Sequence, residues 1–452
     1  MSNVVESGIE ILRDLGDGLV MRRATPEDAG ALAEFNGRIH TETVPEEPDL
    51  GVAAWTRDLL TRPHPTFKPG DFTLVEDVRT GQIVSSLNLI SQTWTYGGIR
   101  FGVGRPELVG TLPEYRRKGL VRAQFEVIQR WSAGRGHLLQ AITGIPYYYR
   151  LFGYEMAVNL GAGRAGFRPQ IPRLPQGQEE PFKIRPAQAA DLPFIARIYE
   201  EGTRRSLLNC ERDEALWAYE LHGKSPENVT RSEIRLIETP GGEPVGYLAH
   251  PPQLWNGMLA ATSIELKPEV SWAAVAPSVV RYLETAGEAL AAGAGGPVKF
   301  ESFGFWVHTG HPILAVLHNS LPRERKPYAW YLRVPDLIAF LRRIAPVLEA
   351  RLAGSPVVGH SGELKITFYR GGLRLVLEEG RLAVIEPWTP EPVEISGQAA
   401  FPGQTFLQLL FGYRSLEELC GAFPDCDVRT DEAWALLSAL FPKQASDIWP
   451  VS

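Results

Sequence analysis

The feature that most constrains this chain is that it repeats itself. Leu19–Asn36 reads LVMRRATPEDAGALAEFN, and Phe182–Tyr199 reads FKIRPAQAADLPFIARIY. Arg22 falls on Arg185, Ala24 on Ala187 and Asp28 on Asp191, all at one constant offset. Each copy holds a short alternating run, a polar break and an apolar pattern of helical period behind an acidic first turn. A strand–turn–helix unit recurring at domain length implies two domains of one type. The 452 residues correspond to roughly three domains at about 150 residues each. The expected boundaries are therefore 1–168 and 182–334, with 335–452 left for a third domain. Prolines 169, 172, 175 and 181 mark Arg168–Pro181 as a linker between the first two.

The third domain reads differently. Asp336–Ala353 has helical periodicity, and Leu364–Tyr369, Leu373–Glu378 and Leu382–Glu386 are short β-type runs separated by glycine turns. Helical segments are expected at about 402–411, 415–421 and 431–440. The fold class that follows is two α/β mixed-sheet domains followed by an α+β domain. The 44 glycines and 36 prolines agree with a loop-rich chain rather than a helical bundle.

Composition narrows the function classes. No apolar run approaches the about 20 residues of a spanning helix, and the first residues carry Glu6, Glu10, Asp14 and Asp17 where a signal peptide would be basic and then apolar. Three cysteines build no disulfide framework, and Cys420 and Cys426 match neither a zinc nor a redox spacing. A cytoplasmic protein without a membrane partner is expected. The net charge is −7, but Arg100–Arg168 holds eleven basic residues against four acidic ones. That segment is +7 and the remainder −14, so a polyanionic ligand is expected at one place. Nucleic-acid binding would spread the basic surface wider.

Inside the basic island stands Glu107-Leu-Val-Gly-Thr-Leu-Pro-Glu-Tyr-Arg-Arg-Lys-Gly-Leu-Val-Arg122. Leu108–Leu112 suits a strand that Pro113 ends, and a helix pattern runs from Leu120 to a stop at Gly134. Arg116–Val121 is then a turn delivering the chain into a helix N-terminus, where unpaired N–H groups and the dipole favour a pyrophosphate. Gly119 lets backbone approach closely, and Arg116, Arg117, Lys118 and Arg122 add charge. The loop is neither a Walker A nor a Rossmann fingerprint.

This strand, P-E-Y-R-R-K-G-L and helix resemble motif A of the GCN5-related N-acetyltransferases (GNAT), whose R/Q-x-x-G-x-G/A loop grips the pyrophosphate of acetyl-CoA. Arg116-x-x-Gly119 matches, whereas Val121 stands at the last small position. That departure, with R-R-K-G-L, resembles the Eis (enhanced intracellular survival) branch. Tyr147-Tyr-Tyr-Arg-Leu-Phe-Gly-Tyr-Glu155 resembles the family's Y-x-x-F-G-Y/F segment. The Eis layout of a catalytic acetyltransferase domain, a degenerate second one and a sterol-carrier-protein-like C-terminal domain would cover nearly the whole chain. Around Pro268–Leu283 no such loop occurs, so the second domain is expected to bind no CoA.

The resemblance implies acetyl transfer from acetyl-CoA to a primary amine: a lysine, a polyamine-like compound or an aminoglycoside. It implies cofactor contacts from Val109, Gly110, Thr111, Arg116, Arg117, Lys118, Gly119, Leu120, Val121, Arg122 and Gly144, and no metal. A backbone N–H of Val109–Thr111 would stabilise the oxyanion. Tyr149, three residues before Phe152, would protonate the leaving thiolate. The terminal carboxylate of Ser452 would be the base, with a water chain or Glu107 as substitutes. Relatives of this layout form closed multimers, so a homo-oligomer is expected. His308-Thr-Gly-His311 reads as structural, and Trp55, Trp94 and Tyr96 read first as core and second as an amine pocket. The rival from another class is a non-enzymatic acyl-CoA or lipid carrier using the C-terminal domain, which needs an apolar tunnel between its meander and its trailing helices.

Overall fold

The computed structural model of the chain describes residues 10–41, 47–294, 296–390 and 397–449. At the level of single residues the two copies of the repeat have the same geometry. Arg22 forks onto Asp28 at 2.7 and 2.9 Å and reaches Glu76 at 2.9 Å. Arg185 forks onto Asp191 at 2.7 and 3.0 Å and reaches Glu238 at 2.9 Å. In both, the same aspartate accepts the N–H three residues back, from Thr25 and from Gln188, each at 2.8 Å. The bidentate pair ties the first strand to the turn that starts the helix, so identical local chemistry builds identical corners. Helices Ala29–Ile39 and Leu192–Thr203 follow.

The first sheet runs Ile11–Gly16, Leu19–Arg23, Phe72–Asp77, Gln82–Tyr96, Ile99–Thr111, Leu139–Ile142, Tyr328–Arg333 and Glu155–Leu160. The strand at 328–333 comes from the far end of the second half of the chain, yet it sits between 139–142 and 155–160. The reverse insertion also occurs. Strand Gly163–Phe167 lies between Ser302–Phe305 and Arg323–Arg325 of the second half. The second half also lends Leu208–Cys210, which pairs with Trp94–Tyr96, so it gives the first sheet two strands and receives one. Both inserted strands are paired on each side, so neither sheet has an open edge there.

Segment Arg168–Pro181, expected as a linker, packs down: Ile171 is buried in the apolar cluster of the second half and Glu180 pairs with Arg281 at 2.6 Å. In the C-terminal part the expected elements occur as helix Leu337–Ala353, capped by Asp336, and strands Gly362–Thr367, Gly372–Glu378 and Arg381–Trp388. Helices Phe406–Leu410, Leu416–Ala422 and Asp431–Leu440 close it. The fold is mixed α/β followed by α+β, and one apolar cluster joins Trp94, Phe101, Trp330, Phe340 and Leu437 across the first and last parts. Among the described residues no helix is long and apolar enough to cross a membrane.

Candidate active site

Strand Ile99–Thr111 pairs with Gln82–Tyr96 along its whole length on one side. On the other it meets Leu139–Ile142 only at Val103 and Gly104, while the far edge of Leu139–Ile142 pairs with the inserted strand through Gln140, Ala141 and Ile142. Beyond Gly104 the two parallel strands therefore diverge and expose the backbone of Glu107–Thr111. A cavity of about 1310 Å³ opens in this splay. Gly110 is closed in from the helix side, where an added Cβ would meet Ile39 Cγ2 at 2.5 Å.

Helix Leu120–Gly134 begins at the floor of the cavity, as its sequence pattern predicts. Its first residue is preceded by Gly119 at φ 78°, left-handed backbone that glycine adopts without strain, and Arg117 is also at positive φ. No side chain caps this helix. The matching helix of the second half, Trp272–Gly293, is capped by Ser271, whose hydroxyl accepts from Ala274 N–H. The first helix thus keeps its N–H groups for a ligand, and the second spends one on its own chain.

Of the residues expected to contact the cofactor, Val109, Gly110, Thr111, Arg116, Arg117, Gly119, Leu120, Val121, Arg122 and Gly144 all line this one cavity, and so does Tyr149. Lys118 does not; its ammonium stands 5.0 Å from the ring centre of Tyr115. Ser452 lies outside the described residues. Trp94 and Tyr96 are fully buried, while Trp55 reaches the cavity wall. His311 caps a short helix and bonds the Ile264 carbonyl, and no cluster of potential metal ligands occurs among the described residues.

Tyr149 sits in the short 3-10 turn Tyr148–Phe152 and is 4% exposed. Its ring is held edge-on by Phe125, Tyr148 and Tyr154, with Tyr331 tilted beside it at 6.0 Å. Tyr331 belongs to the inserted strand, and its hydroxyl accepts the Tyr147 N–H at 3.1 Å. Gly144 packs against the phenol, 3.4 Å from where a Cβ would stand. Burial, reinforced by the nearby Glu107, raises the Tyr149 pKa well above the usual tyrosine value, so the phenol keeps its proton. Glu107 is itself raised by burial, against the opposing pull of its partner Arg105. His40, on the same wall, is lowered by burial despite the carbonyls of Asn36 and Val109 beside it.

Sequence reasoning missed His40, Tyr331, Tyr328, Val229 and Trp255. The last three line the cavity but come from the second half of the chain, and no local pattern marks them.

Residues 22–157 match the family model described as an acetyltransferase (GNAT) domain. The N-terminal part of this chain is a GNAT acetyltransferase domain. The GNAT domain accounts for under a third of the sequence and contains the splayed strands, the loop and Tyr149. It supports an acyltransferase as the class of the chain. No curated protein matches the sequence. Similar solved structures extend the likeness of fold beyond the GNAT domain. A GCN5-related N-acetyltransferase from Anabaena variabilis is 14% identical with a TM-score of 0.63, covering 95% of this chain and 99% of that one. A protein of unknown function from Enterococcus faecalis, titled a probable N-acyltransferase, is 15% identical with a TM-score of 0.64, covering 95% and 98%. Eis1 from Mycobacterium abscessus is 15% identical with a TM-score of 0.55, covering 96% and 99%.

Proposed function

We propose that this chain is an acetyl-CoA-dependent N-acetyltransferase of the Eis-like layout, moving an acetyl group directly to a primary amine. The observation that carries this reading is the convergence of the uncapped helix N-terminus, the splayed strand and the protonated Tyr149 on one cavity. In the proposed reaction the amides of Gly119–Arg122 hold the pyrophosphate, with Arg116, Arg117 and Arg122 as counter-charges and Lys118 at the rim. The thioester carbonyl lies against the free backbone edge of Val109–Thr111, where an N–H stabilises the developing oxyanion. The neutral amine attacks the carbonyl carbon, a C–N bond forms and the C–S bond breaks. Tyr149 gives its proton to the departing sulfur.

The base that takes the ammonium proton is proposed as the terminal carboxylate of Ser452. Deleting Val451 and Ser452 tests this: the rate should fall with acetyl-CoA affinity unchanged, and a full rate would transfer the role to Glu107 or water. Glu107 lines the cavity while paired with Arg105, and its raised pKa moves it toward the range of a working base. The domain division at 168, 182 and 335, the sterol-carrier-like nature of the last part, a cytoplasmic setting and a homo-oligomer complete the proposal.

The experiment is a titration for one acetyl-CoA per chain, followed by thiol release with a panel of amines. Saturable binding without thiol release for any amine would reject the transferase reading. The carrier reading would instead use a cavity of about 770 Å³ among Leu337, Ile338, Phe368, Leu373, Phe406 and Leu407. A fluorescent fatty-acid probe that fails to bind there disposes of it.

A further inference from the structure

The acceptor side of the large cavity is built by both halves of the chain. Helix Leu50–Thr61 supplies Val52 and Trp55, and the second half supplies Val229, Trp255 and Tyr328. The position of Val229 is fixed rather than loose. Its N–H bonds the Gly51 carbonyl at 3.2 Å. Just before it in the chain, Ser225 N–H and Oγ and Asn228 Nδ2 donate to Asp58, 3% exposed, at 2.7–2.9 Å. This wall is therefore preorganised before any acceptor arrives.

Its chemistry is apolar. Val229, Trp255 and Tyr328 are exposed at 37%, 53% and 38%, although large apolar side chains normally find cover. The two acidic residues that line the cavity are engaged. Asp49 caps helix Leu50–Thr61 through Val52 N–H at 2.9 Å, and Glu107 is paired with Arg105. The same cavity is lined by Arg116, Arg117 and Arg122. A second positive charge on the acceptor would find, among the described lining residues, only the helix-capping Asp49 and the Arg105-paired Glu107 as carboxylates, against three guanidinium groups in the same cavity. An apolar or aromatic body would instead cover Val229, Trp255 and Tyr328 and release their water.

Resting on the N-acetyltransferase reading above, we infer that the acceptor is a monoamine with an aromatic or apolar body, selected by the wall of Trp55, Val229, Trp255 and Tyr328. Polycationic acceptors such as polyamines and aminoglycosides are disfavoured, opposite to what the acidic balance of the whole sequence suggests. Val229 and Trp255 are specificity-determining residues in this assignment and take no part in the bond-making steps.

The full chain is titrated with 2-phenylethylamine and with spermidine, with and without CoA, and both are run as substrates with acetyl-CoA. The aromatic amine is expected to bind at least tenfold tighter and to have at least tenfold higher kcat/KM. Trp255→Ala should raise KM for 2-phenylethylamine at least fivefold, with kcat and acetyl-CoA affinity held within twofold. Val229→Asp should lower KM for spermidine and cut the preference at least tenfold. Equal or tighter spermidine binding, no detectable binding of 2-phenylethylamine, or variants that move kcat and KM together would overturn the inference. A chain that binds neither acetyl-CoA nor CoA fails the transferase reading instead, and the ratio of amine affinities measured without donor still decides the pocket.

Discussion

Tyr149 illustrates how packing sets the chemistry of one side chain. The phenol is surrounded by rings and lies near Glu107, so its anion is disfavoured and the side chain stands protonated before any reaction. Tyr149→Phe keeps the packing and removes the proton. Turnover should fall about 100-fold or more, in the range of general acid catalysis, while acetyl-CoA affinity stays within twofold by calorimetric titration. Gly119 makes a different demand. Its φ of 78° strains any side chain even though nothing stands near an added Cβ. Gly119→Ala should cost roughly 1–2 kcal/mol from the left-handed backbone alone, seen as a lower Tm together with weaker acetyl-CoA binding. Asp28 and Asp191 belong to this scale too. Both have folded pKa values lowered, Asp28 by Arg22 and the Thr25 N–H against the cost of burial, Asp191 chiefly by Arg185. Their contribution is present above the unfolded value of about 3.9 and is lost as pH falls through the lower folded value. Asp28→Asn and Asp191→Asn should thus lower Tm at pH 7, and the deficit should vanish once acid has protonated the wild-type carboxylates as well.

Among the elements, strand Tyr328–Arg333 is the one on which the site depends. It fills the place between 139–142 and 155–160 and pairs along both, closing the sheet on the side of 139–142 that faces away from Ile99–Thr111. It also brings Tyr331 against Tyr149 and seats Trp330, fully buried, 5.5 Å from the ring of Trp94. Trp330→Ala should cost about 3–5 kcal/mol. Although this residue lies far outside the GNAT domain in sequence, the variant should lose acetyl-CoA binding in step with the loss of fold, followed by circular dichroism and titration together. The motif, the helix and the strand around residues 107–134 were readable because each is local: Pro113, Gly119 and a 3.6-residue apolar period carry their own signals. The strand exchange carries none. The pairing partners of strand 328–333 lie 168 to 193 residues away in the chain, and nothing in YAWYLR distinguishes insertion into one sheet from insertion into another.

For the whole molecule, the reciprocal insertion makes the halves mutually dependent. Segment Gly163–Phe167 completes the second half, and 328–333 completes the first. A chain ending at residue 168 would leave an unfilled gap beside 139–142 and an unpaired strand leaving the fold. Such a fragment should be rapidly proteolysed and show no cooperative unfolding, whereas the full chain should resist and unfold cooperatively. The same arrangement brings Val229, Trp255 and Tyr328 of the second half into the wall of the cavity that the first half opens.

The sequence by itself determined the repeat, the helix that starts at Leu120, the basic loop and the family of its first domain. All of these follow from short-range chemistry: the period of apolar residues, the turn-forming glycine, and the Arg–Asp spacing that recurs in both copies. Only the tertiary structure decided that the two halves exchange strands, that Tyr149 is buried against Tyr331, and that Val229, Trp255 and Tyr328 face the cavity. Those depend on which distant surfaces meet, and burial energy has no address in the linear order of residues.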